Sequence, residues 1–149
     1  MPGKFSSYEG NNMKVAVLFF GGSGRQQLLE VSKGLVRGLE KQGKQVDLID
    51  GDRDVNVKLT IYEYIAVGTS TVSLWGGKVS KKVTTFLANS GIVSGKRCFA
   101  FITKGGIRKT KTLRELMRIM EHEGMYLKNS RLLTSAEEAE EIGKRLHVG

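Results

Sequence analysis

The chain has 149 residues, of which 40% are hydrophobic and 26% are charged, and this size and balance are typical of one globular domain with one core. Its longest apolar run, at 15–20, is far shorter than the roughly 20 residues of a membrane-spanning helix, and no apolar signal segment opens the sequence. These features exclude disordered, fibrous and membrane-spanning classes, and we expect a cytoplasmic protein.

The net charge of +9 is concentrated in the middle of the chain. No Asp or Glu occurs from Tyr64 to Arg114, and this segment holds ten cations: Lys78, Lys81, Lys82, Lys96, Arg97, Lys104, Arg108, Lys109, Lys111 and Arg114. Outside it, 14 basic residues face 15 acidic ones, so we expect one positive face and an acidic partner. The segment has few aromatic stacking groups and no base-reading helix pattern, which argues against nucleic-acid binding.

Cysteine and histidine are too sparse to indicate thiol or metal chemistry. Cys98 is the only cysteine and lies in the apolar run "CFAFI", where a buried, inert thiol is expected. His122 and His147 lie in charged or terminal contexts without a second candidate ligand at useful spacing, and we interpret both as surface residues. We therefore predict no catalytic residue and no metal ligand.

The sequence divides into a polar leader and one domain. Residues 1–12 are rich in Gly, Ser and Asn and contain the only proline, so we predict a flexible leader, with Met13 as a candidate start, and a single domain over 13–149. In that domain, short apolar strand-type runs alternate with helical periodicity. This alternation predicts an α/β fold with a parallel sheet covered on both faces.

Five strands and four helices are predicted. The first strand, 14–20, is apolar throughout and is expected to be central. A helix with apolar positions 28, 31, 35 and 39 ends near Gly43, a strand follows at 45–50, and the link 51–61 has no helical face. The later elements are strands at 64–68, 97–102 and 126–133, a helix around 79–87 ending near Gly91, and two helices opened by the capping boxes Thr112–Glu115 and Ser135–Glu138.

Three predicted strand-end loops combine glycine with hydroxyls or cations. They are "GGSGRQ" at 21–26, "TSTVSLWGG" at 69–77 and "TKGGIRK" at 103–109. In an open parallel α/β sheet, ligands bind outside the carboxyl ends of the strands. Because glycine lets backbone N–H groups approach an anion closely, these loops form the candidate site.

The common phosphate-binding motifs do not match these loops. "GGK" at 76–78 and "SGK" at 94–96 lack the glycine spacing and the hydroxyl of a P-loop. Gly22 and Gly24 supply two of the three glycines of a dinucleotide fingerprint, with Asp50 as a candidate ribose partner, a partial match that does not favour an NAD enzyme. A phospho-acceptor receiver domain needs carboxylates where Gly21, Gly22 and the "GTST" segment stand, and is excluded.

The order of elements and the three loops resemble the flavodoxin-like family, from Met13 to the C-terminus. The resemblance is clearest in "YEYIAVGTSTVSLWGGKVSKKVTTFL" at 62–87 and in "FAFITKGG" at 99–106. It implies a three-layer, doubly wound, five-stranded parallel sheet with strand order 2-1-3-4-5. It also implies a bound flavin mononucleotide (FMN), whose phosphate is wrapped by the first loop and whose ring lies between the second and third loops.

The first loop departs from the family's phosphate motif. Ser23 and Gly24 match its middle, Gly21 and Gln26 stand where hydroxyl residues are expected, and Arg25 adds a charged donor. Ser23 with Gln26 also has the spacing of a capping box, so Ser23 is either a helix cap or a phosphate ligand.

In the second loop, Ser70 and Ser80 stand where the family often has proline, and Trp75 is the implied ring-stacking residue. For Lys81 and Lys82 we expect solvated side chains. The resemblance implies the cofactor-binding residues Gly22, Ser23, Gly24, Arg25, Gln26, Thr69, Ser70, Thr71, Trp75, Gly76, Gly77, Thr103, Lys104, Gly105 and Gly106.

The sequence is consistent with two functions. The first is a small FMN electron-transfer protein, more a redox carrier than an enzyme, with an acidic redox partner. Lys78, Lys104 and Arg108 in the ring-side loops would then stabilise the anionic reduced flavin and make its reduction potential less negative than that of an acidic flavodoxin. The second is a flavodoxin-fold module that has lost FMN and uses its basic face to bind a protein partner or another polyanion.

Overall fold

The computed structural model describes residues 13–54, 56–71, 78–103 and 109–149, without the side chains of residues 23 and 78–80. In these residues, five strands form one parallel sheet in the order β2-β1-β3-β4-β5. The strands are β1 (Lys14–Phe20), β2 (Gln45–Asp50), β3 (Tyr64–Ser70), β4 (Arg97–Thr103) and β5 (Tyr126–Leu132). The α-helices are α1 (Arg25–Lys41), α2 (Lys78–Ala88), α3 (Lys109–His122) and α4 (Ala136–Arg145). The predicted sheet and strand order are confirmed.

The sheet is the middle of three layers. The even-numbered side chains of β1 from 16 to 20 pack in a core with α2 and α3, and the odd-numbered ones from 15 to 19 pack with α1 and α4. Each of these six side chains is 1% exposed or less. A continuous apolar run is what a strand covered on both faces requires, and this confirms the central position predicted for β1.

Helices α1 and α4 pack side by side at very short distance. A Cβ added at Gly38 would lie 2.2 Å from the Glu140 carbonyl oxygen, and one added at Gly143 would lie 2.7 Å from the Leu35 carbonyl oxygen. Only glycine allows backbones to approach this closely. Arg37 and Lys41 of α1 bind the Glu140 carboxylate across the same contact, at 3.0 and 2.5 Å.

The two capping predictions have different outcomes. Ser135 is the N-cap of α4, because its hydroxyl accepts from the Glu138 N–H over 3.1 Å. The capping box predicted at Thr112–Glu115 is wrong, since α3 already begins at Lys109. Thr112 is buried within the helix, and Glu115 forms an ion pair with Arg118 at 2.6 Å.

The β2–β3 crossover contains no helix in its described residues, 51–54 and 56–63, as the sequence predicted. It passes over β1, and individual hydrogen bonds join it to the segment between α2 and β4. Leu59 is fully buried and its N–H donates to the Ser90 carbonyl oxygen over 2.6 Å. Lys96 Nζ donates to the carbonyl oxygens of Thr60 and Tyr62. This irregular connection brings the segment "DGDRD", 50–54, beside the loop after β1.

Candidate functional site

The three predicted loops begin at one edge of the sheet. Because the strands are parallel, their carboxyl ends lie together, and the register pairs Phe20 with Thr69 and Ser70 with Thr103. The described parts of the loops at 21–26, 69–77 and 103–109 therefore start from adjacent strand ends. This is the edge at which open α/β sheets bind ligands.

The turn after β1 presents backbone N–H groups at the start of α1. Residues 22–24 form one 3-10 turn, in which the Gly24 N–H donates to the Gly21 carbonyl oxygen over 2.9 Å. Gly22 has a φ of 49°, a conformation that glycine adopts at little cost. Gly24, not Ser23, is the N-cap of α1, and glycine has no side chain with which to cap the helix. The N–H groups that precede the helix therefore point toward a group that comes from another part of the chain.

A carboxylate from the β2–β3 crossover fills that role. Gly21 N–H donates to Asp52 Oδ2 over 2.9 Å, and Gly22 N–H donates to the same oxygen over 3.2 Å. Lys82 of α2 lies 3.3 Å from Asp52 Oδ1. The Asp52 side chain is only 14% exposed, so the carboxylate is enclosed by the turn and by α2.

Arg25, the charged donor of the turn, is paired with a second carboxylate of the crossover. Its guanidinium lies 2.5 Å from Asp50 Oδ2 and also stacks over the Phe19 ring at 5.4 Å. Burial alone would raise the pKa of Asp50, but the hydrogen bonds from Arg25 and from the Asp52 N–H lower it below its usual value. Asp50, which the partial dinucleotide motif suggested as a ribose ligand, is an ionised carboxylate paired with Arg25.

The hydroxyls at the ends of β3 and β4 are buried. Thr69 Oγ1 donates to the Phe20 carbonyl oxygen over 3.0 Å and so joins the first two loops. Ser70 and Thr71 are also buried. Thr103 Oγ1 is fully buried and has no hydrogen-bond partner among the described residues. A buried hydroxyl with an unmade hydrogen bond costs free energy, which makes Thr103 a candidate ligand-contacting group.

The remaining predicted site residues are distributed as follows. Gln26 is exposed on the first turn of α1. Trp75, Gly76, Gly77, Lys104, Gly105 and Gly106 lie outside the described residues, as do Arg108 and the side chains of Ser23 and Lys78. The phosphate side of the implied site is therefore the part that the structure describes in detail.

The cations of the segment 64–114 lie at both edges of the sheet. Exposed cations on the first two turns of α2 and α3 are near the carboxyl edge; they are Lys81, Lys82, Lys109, Lys111 and Arg114. Lys96 and Arg97 lie at the amino end of β4, the opposite edge. The expectation that all the excess charge forms one face is thus wrong for these two residues. They precede or begin β4, and this strand runs from the amino edge of the sheet to the carboxyl edge.

A cavity of about 540 Å³ lies beside the turn, between the β2–β3 crossover and α2. Gly51, Asp52, Val57, Lys82 and Phe86 contribute to its wall. Phe86 packs edge-on against Phe20 of β1, with ring centroids 5.6 Å apart. Asp52 thus borders both the cavity and the turn.

The described part of the chain contains no reactive thiol, no buried histidine and no cluster of metal ligands. Cys98 is fully buried, and burial raises the pKa of its thiol to about 12. His122 and His147 are exposed. Across residues 13–54, 56–71, 78–103 and 109–149, no three His, Cys, Asp or Glu side chains form a group able to hold a metal ion, and no helix is long and apolar enough to cross a membrane.

Asp52 is the site residue that the sequence analysis missed. The signal was present in "DGDRD", where Asp52 and Asp54 follow closely on Asp50, the last residue of β2. The position of Asp52 depends on the path of an irregular crossover, and such a path has no periodic signature in sequence.

No protein-family model matches the sequence, and a search of curated proteins gives no match. Solved structures do match. Flavodoxin 1 from Bacillus cereus has a TM-score of 0.67 at 17% identity, covering 87% of this chain and 94% of its own. A flavodoxin from Streptococcus pneumoniae TIGR4 has a TM-score of 0.66 at 14% identity, covering 89% and 97%. A short-chain flavodoxin associated with a bacterial microcompartment has a TM-score of 0.67 at 13% identity, covering 90% and 96%. The chain therefore has a flavodoxin-like fold.

Proposed function

We propose that this protein is a small FMN-binding electron-transfer protein of the flavodoxin type. The observation that carries the proposal is the convergence of the Gly21 and Gly22 N–H groups on one carboxylate oxygen at the start of α1. This donor set fits an oxyanion, and here a carboxylate stands in for one. The similarity to flavodoxins adds the expectation of a flavin, since the turn lies at the corresponding edge of the sheet.

The residues of this chain would position the cofactor and set its electrostatics. The N–H groups of Gly21 and Gly22 would bind the phosphate, and buried Thr103 offers a hydroxyl that has no hydrogen-bond partner among the described residues. When bound, FMN supplies the one- or two-electron chemistry, and the protein supplies orientation and charge. This division of roles requires no acid–base side chain.

The charge of the helix starts supports an acidic partner. The first turns of α2 and α3 contain no acidic residue, and cations such as Lys109 and Lys111 stand there. A cation near the positive end of a helix dipole costs stability, about 0.3–1 kcal/mol for each exposed residue. Because folding gains nothing from this placement, we infer that it serves the binding of negative charge, as on an acidic redox protein.

The absorption spectrum of the purified protein tests the proposal. We expect visible flavin bands, or a spectral change on titration with FMN that saturates at one equivalent. Trp75→Ala should then weaken FMN binding by about tenfold, since aromatic stacking contributes about 1–3 kcal/mol. A colourless protein that leaves the FMN spectrum unchanged contradicts the proposal.

A second candidate function rests on the internal ion pairs of the turn. Asp52 accepts from its N–H groups and Asp50 pairs with Arg25, so the described donors already have partners within the chain. A flavodoxin-fold module without FMN, which binds an acidic protein or another polyanion through its cations, is consistent with this arrangement. The same titration distinguishes the two functions.

A further inference from the structure

Asp52 stands at the place where a phosphate would meet the turn. Two backbone N–H groups point at its Oδ2 from the start of α1, an arrangement that binds phosphate and carboxylate groups alike. Asp52 lies about 30 positions further along the chain, on a different connection. It is therefore a tertiary contact, and not a local cap of the helix.

The carboxylate is held from several sides. Lys82 binds its second oxygen, and the Asp52 N–H donates to Asp50 Oδ1 over 3.0 Å. Asp50 is itself fixed by Arg25. A phosphate entering the turn would meet two carboxylates, and like charges at such short range repel.

We propose that Asp52 is a built-in competitor of the FMN phosphate and lowers the preference of the site for phosphorylated flavin. This inference rests on the proposed function. Asp52 has to leave the Gly21 and Gly22 N–H groups before a phosphate can bind them, and the neighbouring cavity gives its side chain space to move into. Binding therefore includes the cost of breaking the Asp52 contacts. Riboflavin, which lacks the phosphate, does not require that exchange.

Flavin titrations of matched variants test this role. We expect Asp52→Asn and Asp52→Ala to bind FMN about tenfold or more tightly than the wild-type protein, because removing the like charge removes the competition. Riboflavin affinity should stay within about twofold. Asp54→Asn, a charge-neutralising change in the same crossover, is the control and should leave both affinities unchanged. Fluorescence quenching of the flavin gives each dissociation constant.

Inorganic phosphate provides a measurement that does not depend on the flavin ring. In a buffer without other oxyanions, phosphate should raise the melting temperature of Asp52→Ala more than that of the wild-type protein. If it does so while no variant binds FMN, Asp52 competes with phosphate at the turn and the FMN function is wrong.

Two results overturn the inference alone, and a third overturns the proposed function with it. One is equal FMN affinity in wild-type protein and both Asp52 variants, which would leave the FMN function intact. The other is a gain for riboflavin as large as that for FMN, which would mean that the substitutions act on the ring loops or on folding and not on the phosphate position. Absence of any phosphate response in Asp52→Ala, together with no FMN binding in any variant, rejects both the inference and the proposed function.

Discussion

Glu140 is an example of a single residue whose charge supports a contact between helices. It lies on α4 and accepts from Lys41 and Arg37 of α1, and these two hydrogen bonds lower the pKa of its carboxyl to about 2. A carboxylate with a lowered pKa in the folded state adds stability above its ordinary pKa of 4.5 and loses it as the pH falls toward the folded value. Its stabilising effect therefore disappears between these two values.

We expect Glu140→Gln to be less stable than the wild-type protein at pH 7 and to differ little from it near pH 2. Urea unfolding at several pH values, followed by circular dichroism, gives the free energies. Glu137→Gln, at an exposed carboxylate on the same helix, should show no such convergence. A Glu140→Gln protein as stable as wild type at pH 7 would mean that the two ion pairs contribute nothing.

At the scale of elements, the contact between α1 and α4 depends on the absence of side chains. The Cβ that Ala would place at position 38 lies 2.2 Å from a backbone oxygen, and a backbone cannot rotate away as a side chain does. We expect Gly38→Ala to lower the free energy of unfolding by about 1–3 kcal/mol, the usual cost of overpacking a core. At an exposed helix position, replacing Gly by Ala stabilises the helix. A loss of stability at position 38 therefore shows the effect of the close contact.

The measurement for Gly38→Ala is the urea midpoint, compared with that of Glu40→Ala. Position 40 is exposed on the same helix, so its substitution should be close to neutral. A stabilised Gly38→Ala protein would show that α1 and α4 can separate at no cost.

Elements with a strong period were predictable, and connections were not. The apolar run of β1 and the spacing of Leu28, Val31 and Leu35 in α1 have few alternative interpretations, because burial requires that pattern. The start of α3 was misplaced by three residues, since Thr112 and Glu115 have the spacing of a cap although Thr112 is buried inside the helix. The Asp52 contact joins two loops far apart in sequence, and no local rule encodes such a contact.

At the scale of the whole molecule, the core also determines how often the central sheet is exposed to solvent. Cys98 lies on β4 with its thiol fully buried and its pKa raised to about 12 by that burial. A thiolate, not a thiol, attacks an alkylating reagent. In the folded molecule the Cys98 thiol is buried and protonated, so it does not react. Only molecules that have opened the sheet can be labelled.

The labelling rate of the one cysteine of this chain consequently reports how often the protein unfolds. We expect Cys98 to react with iodoacetamide at least about a thousandfold more slowly in buffer than in 6 M guanidinium, in proportion to the fraction unfolded at equilibrium. Mass spectrometry of timed samples gives the rate, and labelling nearly as fast as in denaturant would contradict the buried position. The labelling rate depends on the opening of the sheet and not directly on a ligand. Adding FMN should therefore slow the labelling only if the cofactor binds the folded state. The same thiol thus measures stability and cofactor occupancy without any introduced probe.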